Sequence, residues 1–152
     1  KTYQRSEYSS FNLNLDYQEE YYSISRKNVL RGMHFQIPPQ EHVKIVCCQL
    51  GNIIDVIVDL RVNSQTYGRS LGIELDSDRP ELIYIAAGMA HGFLTLSDFA
   101  IVSYRTSSEY SPSEDMGIHW ASVDFDWPVR EPIISKRDGL FPGLDKFKSP
   151  FN

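Results

Sequence analysis

Two histidines in this sequence lie in short, apolar, β-prone runs with a glycine close by, and they are the residues best suited to acid–base chemistry. His34 lies in VLRGMHFQ (residues 29–36) and His91 lies in MAHGF (residues 89–93). Neither run contains the second histidine that a local metal site normally adds. Because an imidazole changes protonation near neutral pH, the pattern favours an acid–base pocket inside a β-barrel. The alternative for each is a core histidine with satisfied hydrogen bonds.

Three other ionisable residues lie in apolar, strand-like runs. Asp55 and Asp59 lie four positions apart in one run, so their side chains face the same side of a strand. A buried carboxylate is costly unless it is paired, so Asp59 either ties down the strand end with Arg61 or takes part in chemistry. Asp55 lies mid-strand and is the stronger functional candidate. Lys44 alternates with apolar neighbours, and periodicity alone favours the solvent face of an edge strand.

The remaining histidines and the tyrosines give weaker signals. His42 and His119 have no comparable sequence context, and we expect them at the surface or in packing. Tyr104 ends a predicted strand and Tyr110 follows in the next loop. With nine tyrosines in the chain, core packing is the default interpretation for either one.

The elements that must position these residues are predicted to be almost entirely β. Gly, Pro, Asn, Asp and Ser clusters separate eight strand candidates, at residues 21–26, 29–35, 42–50, 52–60, 71–75, 82–86, 91–96 and 99–105. Short helices are expected only within residues 1–13 and 138–148. Many short strands at close spacing predict a sandwich, jelly roll or barrel. We expect the proline-rich last quarter to wrap on it as an irregular segment.

Length and composition limit the classes of protein to which this chain can belong. Its 152 residues predict one domain, residues 1–152, and a net charge of −5 argues against nucleic-acid or anionic-membrane partners. No run reaches membrane-span length. Cys47 and Cys48 are adjacent and point to opposite faces of a strand, so we expect reduced thiols in a cytoplasmic protein. The chain begins at Lys1, without methionine and mid-pattern, and we expect residues before it.

Several ordered motifs, from residue 23 to about residue 142, resemble the dTDP-4-dehydrorhamnose 3,5-epimerase family. VLRGMHFQ and MAHGF are similar to its two signature stretches. The others are GNIIDVIVDLR (51–61), SQTYG (64–68, with Gln65 in place of the family's proline), YRT (104–106), EYSP (109–112), DWP (126–128) and ISKRD (134–138).

The resemblance implies a cupin-type jelly-roll barrel with short helical or irregular terminal segments, a homodimer, and no metal or cofactor. The implied reaction inverts the carbons flanking the 4-keto group of a nucleotide-linked 4-keto-6-deoxyhexose. It needs a base, a proton donor on the opposite ring face and a cation near the carbonyl oxygen. The family's base matches His34, its carboxylate partner Asp138, its tyrosine acid Tyr104 and its pocket lysine Lys44. The expected substrate-binding residues are Arg31, Gln36, Asp55, His91, Tyr110, Glu19 and Tyr21.

The sequence departs from the family at three positions that concern the nucleotide. The family has a glutamate where this chain has Lys1, and glutamine and asparagine where it has Glu19 and Tyr21. The nucleobase of the substrate could therefore be thymine, cytosine or guanine, and the sugar could be another 4-keto-hexose or a heptose. Inversion at C3, at C5 or at both stays open.

Two rival classes remain to be separated by experiment. One is a metal-dependent cupin enzyme with His34 and His91 as ligands, which metal analysis would identify. The other is a non-catalytic sugar-binding jelly roll, which would exchange no deuterium into a substrate.

Overall fold

The computed structural model describes residues 3–13, 16–79 and 81–152. One helix, α1 (Arg5–Ser10), precedes the strands. The strands are β1 (Glu19–Arg26), β2 (Leu30–Gln36), β3 (Lys44–Leu50), β4 (Asn52–Asp59), β5 (Ser70–Asp76), β6 (Ile83–Ile85), β7 (Met89–Thr95), β8 (Phe99–Thr106) and β9 (Asp115–Gly117). Three 3-10 helices follow, η1 (Trp120–Ser122), η2 (Asp138–Leu140) and η3 (Leu144–Lys146). No described helix is long and apolar enough to cross a membrane.

The strands form two antiparallel sheets, which is the arrangement of a jelly roll and confirms the predicted fold class. The four-stranded sheet has the order β1-β8-β3-β6, and the five-stranded sheet has the order β5-β4-β7-β2-β9. Apolar side chains from both sheets share one core, which includes Val46, Val102, Ile53 and Phe93. The interior therefore lies between the two sheets, and inward-facing polar residues are enclosed by it.

The outer face of the five-stranded sheet is also covered. Val56 and Val58 of β4 pack with Phe35, Val123 and Phe151 in a second apolar cluster. The near-continuous apolar run of β4 follows from this, because the strand is buried on both faces. The C-terminal segment wraps on the sheet as expected, and its described helices are short 3-10 turns. One of them, η1, lies outside the two ranges in which short helices were expected, so that prediction is wrong there.

Close contact between β2 and β7 explains the glycine beside each histidine. A Cβ atom on Gly32 would meet the Cα atom of Gly92 at 2.5 Å, and Gly32 has φ +142°. His34 and His91 are register partners across these two strands. Glycine is required on both strands because any side chain would force the backbones apart.

One prediction about the strands is wrong, and one strand was not predicted. The expected solvent face of an edge strand fails for Lys44 because β3 lies between β8 and β6. Lys44 shares the inward face of Val46 and Cys48 and is only 7% exposed. Strand β9 was not predicted because its three residues, Asp115 to Gly117, carry a single apolar side chain. It pairs with β2, where Gly117 is the register partner of His34. Lys1, and with it the expected departure at the family's glutamate, lies outside the described residues.

Candidate active site

A cavity of about 260 Å³ opens between the sheets and is lined by His34, Lys44, Gln36, Glu19, Tyr21 and Tyr110. A small inner recess continues it to His91 and Met89. On the other side of His34 lies a second cavity of about 510 Å³, which is bordered by Arg31, Arg137 and Asp138. His34 thus stands between two spaces, and 26% of its side chain is exposed to them.

His34 is paired with Asp138. Its Nε2 lies 3.0 Å from Asp138 Oδ1, and the other carboxylate oxygen accepts from the backbone N–H of Gly32 at 3.2 Å. Burial alone would raise the pKa of Asp138, but the hydrogen bond and charge of His34 together with the Gly32 N–H lower it to about 2. Asp138 is therefore an anion at neutral pH, and it can orient the imidazole and stabilise its protonated form.

A second histidine–carboxylate pair lies deeper. His91 Nε2 is 2.7 Å from Asp55 Oδ2, and both residues are buried. Burial lowers the pKa of His91, although Asp55 opposes the shift. Asp55 Oδ1 has no hydrogen-bond partner among the described residues. His91 therefore lines the inner recess, and Asp55 orients its ring from behind.

Lys44 brings a positive charge into the same recess. Burial lowers its pKa to about 8, and the carboxylates of Asp55 and Asp115 oppose that shift. Within the described ranges, its ammonium makes no hydrogen bond and no ion pair. A buried ammonium without a partner is costly, so an anionic group of a ligand would be stabilising there.

Tyr104 and Tyr110 have different surroundings. Tyr104 is 5% exposed, its hydroxyl lies 3.0 Å from Ser23 Oγ, and burial raises its pKa well above the ordinary range. Its ring lies edge-on to His91 at 6.3 Å and is stacked at 4.6 Å on Tyr21, which lines the cavity. Tyr110 is 57% exposed at the cavity mouth, and its hydroxyl lies 3.3 Å from Asp115.

The other predicted binding residues border the cavities from the strands and the loop after β8. Arg31 donates from Nε to Ser25 Oγ at 2.8 Å and borders the larger cavity. Gln36 is buried and its Oε1 accepts from a backbone N–H at 2.7 Å. Glu19 accepts from the backbone N–H of Tyr110 at 2.7 Å. Most of the predicted site residues therefore border the two cavities or the inner recess. Asp55 and Tyr104 do not line these spaces, and they adjoin them through His91 and Tyr21.

Asp59 and His119 lie away from these spaces, in structural roles. The carboxylate of Asp59 accepts from Arg61, Ser64 and Thr66, and although burial opposes the shift, these hydrogen bonds hold its pKa well below its usual range. Of the two interpretations of Asp59, the strand-end tie to Arg61 is confirmed. His119 accepts from the backbone N–H of Ala121 at the start of η1.

Sequence reasoning missed three titratable or charged residues that line the main cavity, His42, Asp115 and Arg137. His42, expected at the surface or in packing, borders both the main cavity and the inner recess, so that prediction is wrong. Arg137 contacts Asp115 and Asp138, and all three gather around His34. Arg137 precedes Asp138 in ISKRD, so its place in a matched motif was the available signal. His42 begins the predicted strand 42–50, two positions before Lys44, so its spacing from Lys44 was the available signal, although β3 itself starts at Lys44.

Comparison with known proteins identifies the family. The family model described as dTDP-4-dehydrorhamnose 3,5-epimerase matches residues 1–146. The chain belongs to this family. The dTDP-4-dehydrorhamnose 3,5-epimerase of Escherichia coli K12 is 40% identical over 131 residues, which cover 84% of this chain and 71% of that protein. The dTDP-4-dehydrorhamnose 3-epimerase of Streptomyces niveus is 40% identical over 118 residues, which cover 76% of this chain and 57% of the relative.

Solved structures of the family have the same fold. The crystal structure of the dTDP-6-deoxy-D-glucose-3,5-epimerase of Legionella pneumophila in complex with dTDP-4-keto-L-rhamnose matches with a TM-score of 0.94 at 29% identity. The match covers 100% of this chain and 84% of that one. As a member of the dTDP-4-dehydrorhamnose 3,5-epimerase family, the protein is an epimerase of the isomerase class.

Proposed function

We propose that the protein inverts C3, C5 or both carbons of a nucleotide-linked 4-keto-6-deoxyhexose, through an enolate, in the biosynthesis of deoxysugars for cell-surface polysaccharides. The observation that carries this proposal is the His34–Asp138 pair, which faces a cavity that also contains an unpaired, buried lysine. Proton abstraction next to a ketone needs such a base together with a cation for the developing oxyanion.

In the proposed reaction His34 removes the proton from the carbon beside the ketone. The C–H electron pair moves into the ring as the ketone becomes an enolate, and Asp138 stabilises the imidazolium that forms. The negative charge collects on the former carbonyl oxygen, where Lys44 provides the opposite charge. At each inverted carbon one proton is removed and one is returned, so the reaction requires no oxidant or reductant.

Inversion requires that the returning proton arrive on the other face of the ring. We assign this step to Tyr104, because its phenol is protonated at neutral pH. Its ring is stacked on Tyr21, which lines the main cavity, and lies edge-on to His91, which lines the inner recess. Tyr110 is the less suitable donor because it is exposed at the cavity mouth. Tyr110, Glu19, Tyr21 and Gln36 would hold the substrate, with His91 in the inner recess and Asp55 behind it.

The nucleotide diphosphate is expected beside Arg31 and Arg137, which border the larger cavity next to His34. Two guanidinium groups there can bind a diphosphate in a protein whose net charge is −5. Glu19 and Tyr21 replace the glutamine and asparagine of the family pattern. The nucleobase that the protein prefers must therefore be determined by experiment. The relative from Legionella was crystallised with a dTDP-linked keto sugar, which makes dTDP the first nucleotide to test.

The proposed setting is a cytoplasmic homodimer. β1 is an edge strand of the four-stranded sheet, and its side chains Tyr22 and Ile24 are 68% and 58% exposed. Phe99 and Leu50 are 50% and 44% exposed on the same sheet. Exposed apolar residues along a free edge strand favour pairing with a second copy.

Deuterium incorporation tests the function directly. The protein is incubated in heavy water with 4-keto-6-deoxyhexoses linked to dTDP, CDP or GDP, and NMR identifies the labelled and inverted carbons. We expect label at C3, at C5 or at both in at least one of these substrates. Absence of exchange in all of them would refute the epimerase. Metal analysis of the active protein, with activity measured after chelation, would test the rival metal-dependent cupin.

A further inference from the structure

His42 is a cavity residue to which the mechanism above gives no role. It lies just before β3, and its ring borders both the main cavity and the inner recess, each time together with Lys44. Its side chain is half-buried. The shared lining places the imidazole beside the lysine that faces the reacting end of the substrate.

The hydrogen bonds of His42 lie on the Nδ1 side of its ring. The amide oxygen of Gln36 accepts from the backbone N–H of Ser111 at 2.7 Å, which orients the amide nitrogen toward Gln40 and His42. That nitrogen donates to the Gln40 carbonyl at 2.8 Å and lies 3.3 Å from His42 Nδ1. An amide N–H cannot accept a hydrogen bond, so Nδ1 is the acceptor in the contact with Gln36. Ser108 Oγ lies 3.4 Å from the same Nδ1 and can either donate to it or accept from it. In the tautomer in which Nδ1 accepts from Gln36, the neutral imidazole carries its proton on Nε2.

In this tautomer the Nε2–H group of His42 has no hydrogen-bond partner among the described residues, and Nε2 is not one of the buried polar atoms that lack a partner. Burial, together with the nearby charges of Lys44 and His91, lowers the pKa of His42 to about 3. The ring is therefore neutral over the whole working range. It offers one neutral N–H donor on the edge turned away from Gln36.

We propose that His42 is a further substrate-contacting residue, which donates a hydrogen bond from Nε2 to the carbonyl oxygen of the keto sugar beside Lys44. This proposal rests on the proposed epimerase function. As His34 takes the proton from carbon, the charge grows on that oxygen, and a fixed neutral donor binds the enolate more strongly than the ketone. The proton of Nε2 is shared in the hydrogen bond and stays on His42, so no proton is transferred there.

Two substitutions separate this role from packing. The amide of His42→Asn replaces the Nδ1 side of the ring and loses the Nε2 donor, whereas His42→Gln extends an N–H toward the Nε2 position. We expect His42→Asn to slow deuterium exchange into the 4-keto sugar by about a hundredfold or more. His42→Gln should lose clearly less, and calorimetry should give unchanged affinity for dTDP in both variants. Exchange at the wild-type rate in His42→Asn, or equal losses accompanied by weaker dTDP binding, would overturn the proposal.

NMR tests the contact independently of turnover. Long-range ¹H–¹⁵N spectra of the wild-type protein should show the Nε2–H tautomer of His42, and dTDP-4-keto-6-deoxyglucose should shift the Nε2 resonance where dTDP alone does not. A Nδ1–H tautomer, or equal shifts with both ligands, would overturn the role of His42 even in an active enzyme. If no 4-keto sugar exchanges deuterium with the wild-type protein, the epimerase proposal fails, while the NMR titration still decides the contact.

Discussion

His34 and Asp138 come from opposite ends of the chain, 104 positions apart, and their pairing is the residue-scale basis of the proposed chemistry. Replacing His34 with asparagine removes the base and keeps a polar side chain. We expect kcat to fall by about a hundredfold or more while dTDP affinity is retained. Steady-state kinetics and calorimetry measure both quantities. His119→Asn is the matched control, because His119 caps η1 outside the cavities. Near-normal turnover in His34→Asn would show that His34 is not the base.

Asp138→Asn is expected to affect both turnover and the pH dependence of stability. The amide cannot stabilise the imidazolium, so kcat should fall in folded protein. The pKa of Asp138 is about 2 in the folded chain and about 3.9 in an unfolded one, so its stabilising contribution is present above about pH 4 and is lost as the pH falls towards 2. Chemical denaturation at several pH values should give a stability difference between wild type and variant that shrinks across this window. A constant difference, with normal kcat, would make Asp138 a purely structural residue.

Tyr104→Phe separates proton removal from proton return. The ring keeps its stacking on Tyr21, whereas the hydroxyl near Ser23 is lost. His34 can still abstract a proton and return it to the same face, so deuterium should enter the substrate with little inversion. NMR of the recovered sugar measures exchange and configuration together. Equal loss of exchange and inversion would mean that Tyr104 acts before the proton is returned, for example in binding the ketone. Tyr110→Phe is the comparison variant, because Tyr110 is the alternative acid.

At the scale of the elements, the contact between β2 and β7 sets the distance between the two histidine-bearing strands. A Cβ atom on Gly92 would meet Met33 Sδ at 2.7 Å and the Arg31 carbonyl at 2.8 Å. We expect Gly92→Ala to cost about 1–3 kcal/mol by overpacking. For a chain of this size that lowers Tm by about 2–4 °C per kcal/mol. His34 should be displaced as well, so kcat should fall.

Gly139→Ala provides the control for that substitution. The added Cβ would meet only the tip of the Ile134 side chain at 3.3 Å, and the backbone is in no glycine-only conformation. Differential scanning calorimetry of the two variants should show a clearly larger loss for Gly92→Ala. Equal Tm values would mean that the two strands have room to separate.

The elements that the sequence predicts well are those whose pattern is local. The strand β4 is readable because burial on both faces leaves a continuous apolar run, and glycine beside His34 and His91 marks a close backbone contact. Strand β9 was not predicted, and periodicity alone placed Lys44 at the solvent face although the family resemblance implied a pocket lysine. Each outcome depends on which strand becomes the neighbour in the sheet. His42 was missed for the same reason. Its place in the cavity depends on hydrogen bonds to Gln36 and Ser108 from other parts of the chain.

At the scale of the whole molecule, net charge and local charge have different consequences. The chain carries −5 overall, yet Arg31, Arg137 and Lys44 border the two cavities on either side of His34. A diphosphate would therefore be held by local cations inside an anionic protein. Composition alone argues against polyanionic partners such as nucleic acids, while the placement of a few side chains allows a small anionic ligand.

The proposed homodimer predicts that the outer side of β1 is an interface. Ile24 of β1 and Leu71 of β5 are equally exposed, at 58% and 60%, on the edge strands of the two different sheets. Light scattering should give a dimeric mass for the wild-type protein. A glutamate at position 24 would bury an unpaired charge in the interface, so Ile24→Glu should produce monomers, whereas Leu71→Glu should remain dimeric. A wild-type monomer, or dissociation only in Leu71→Glu, would contradict this assignment.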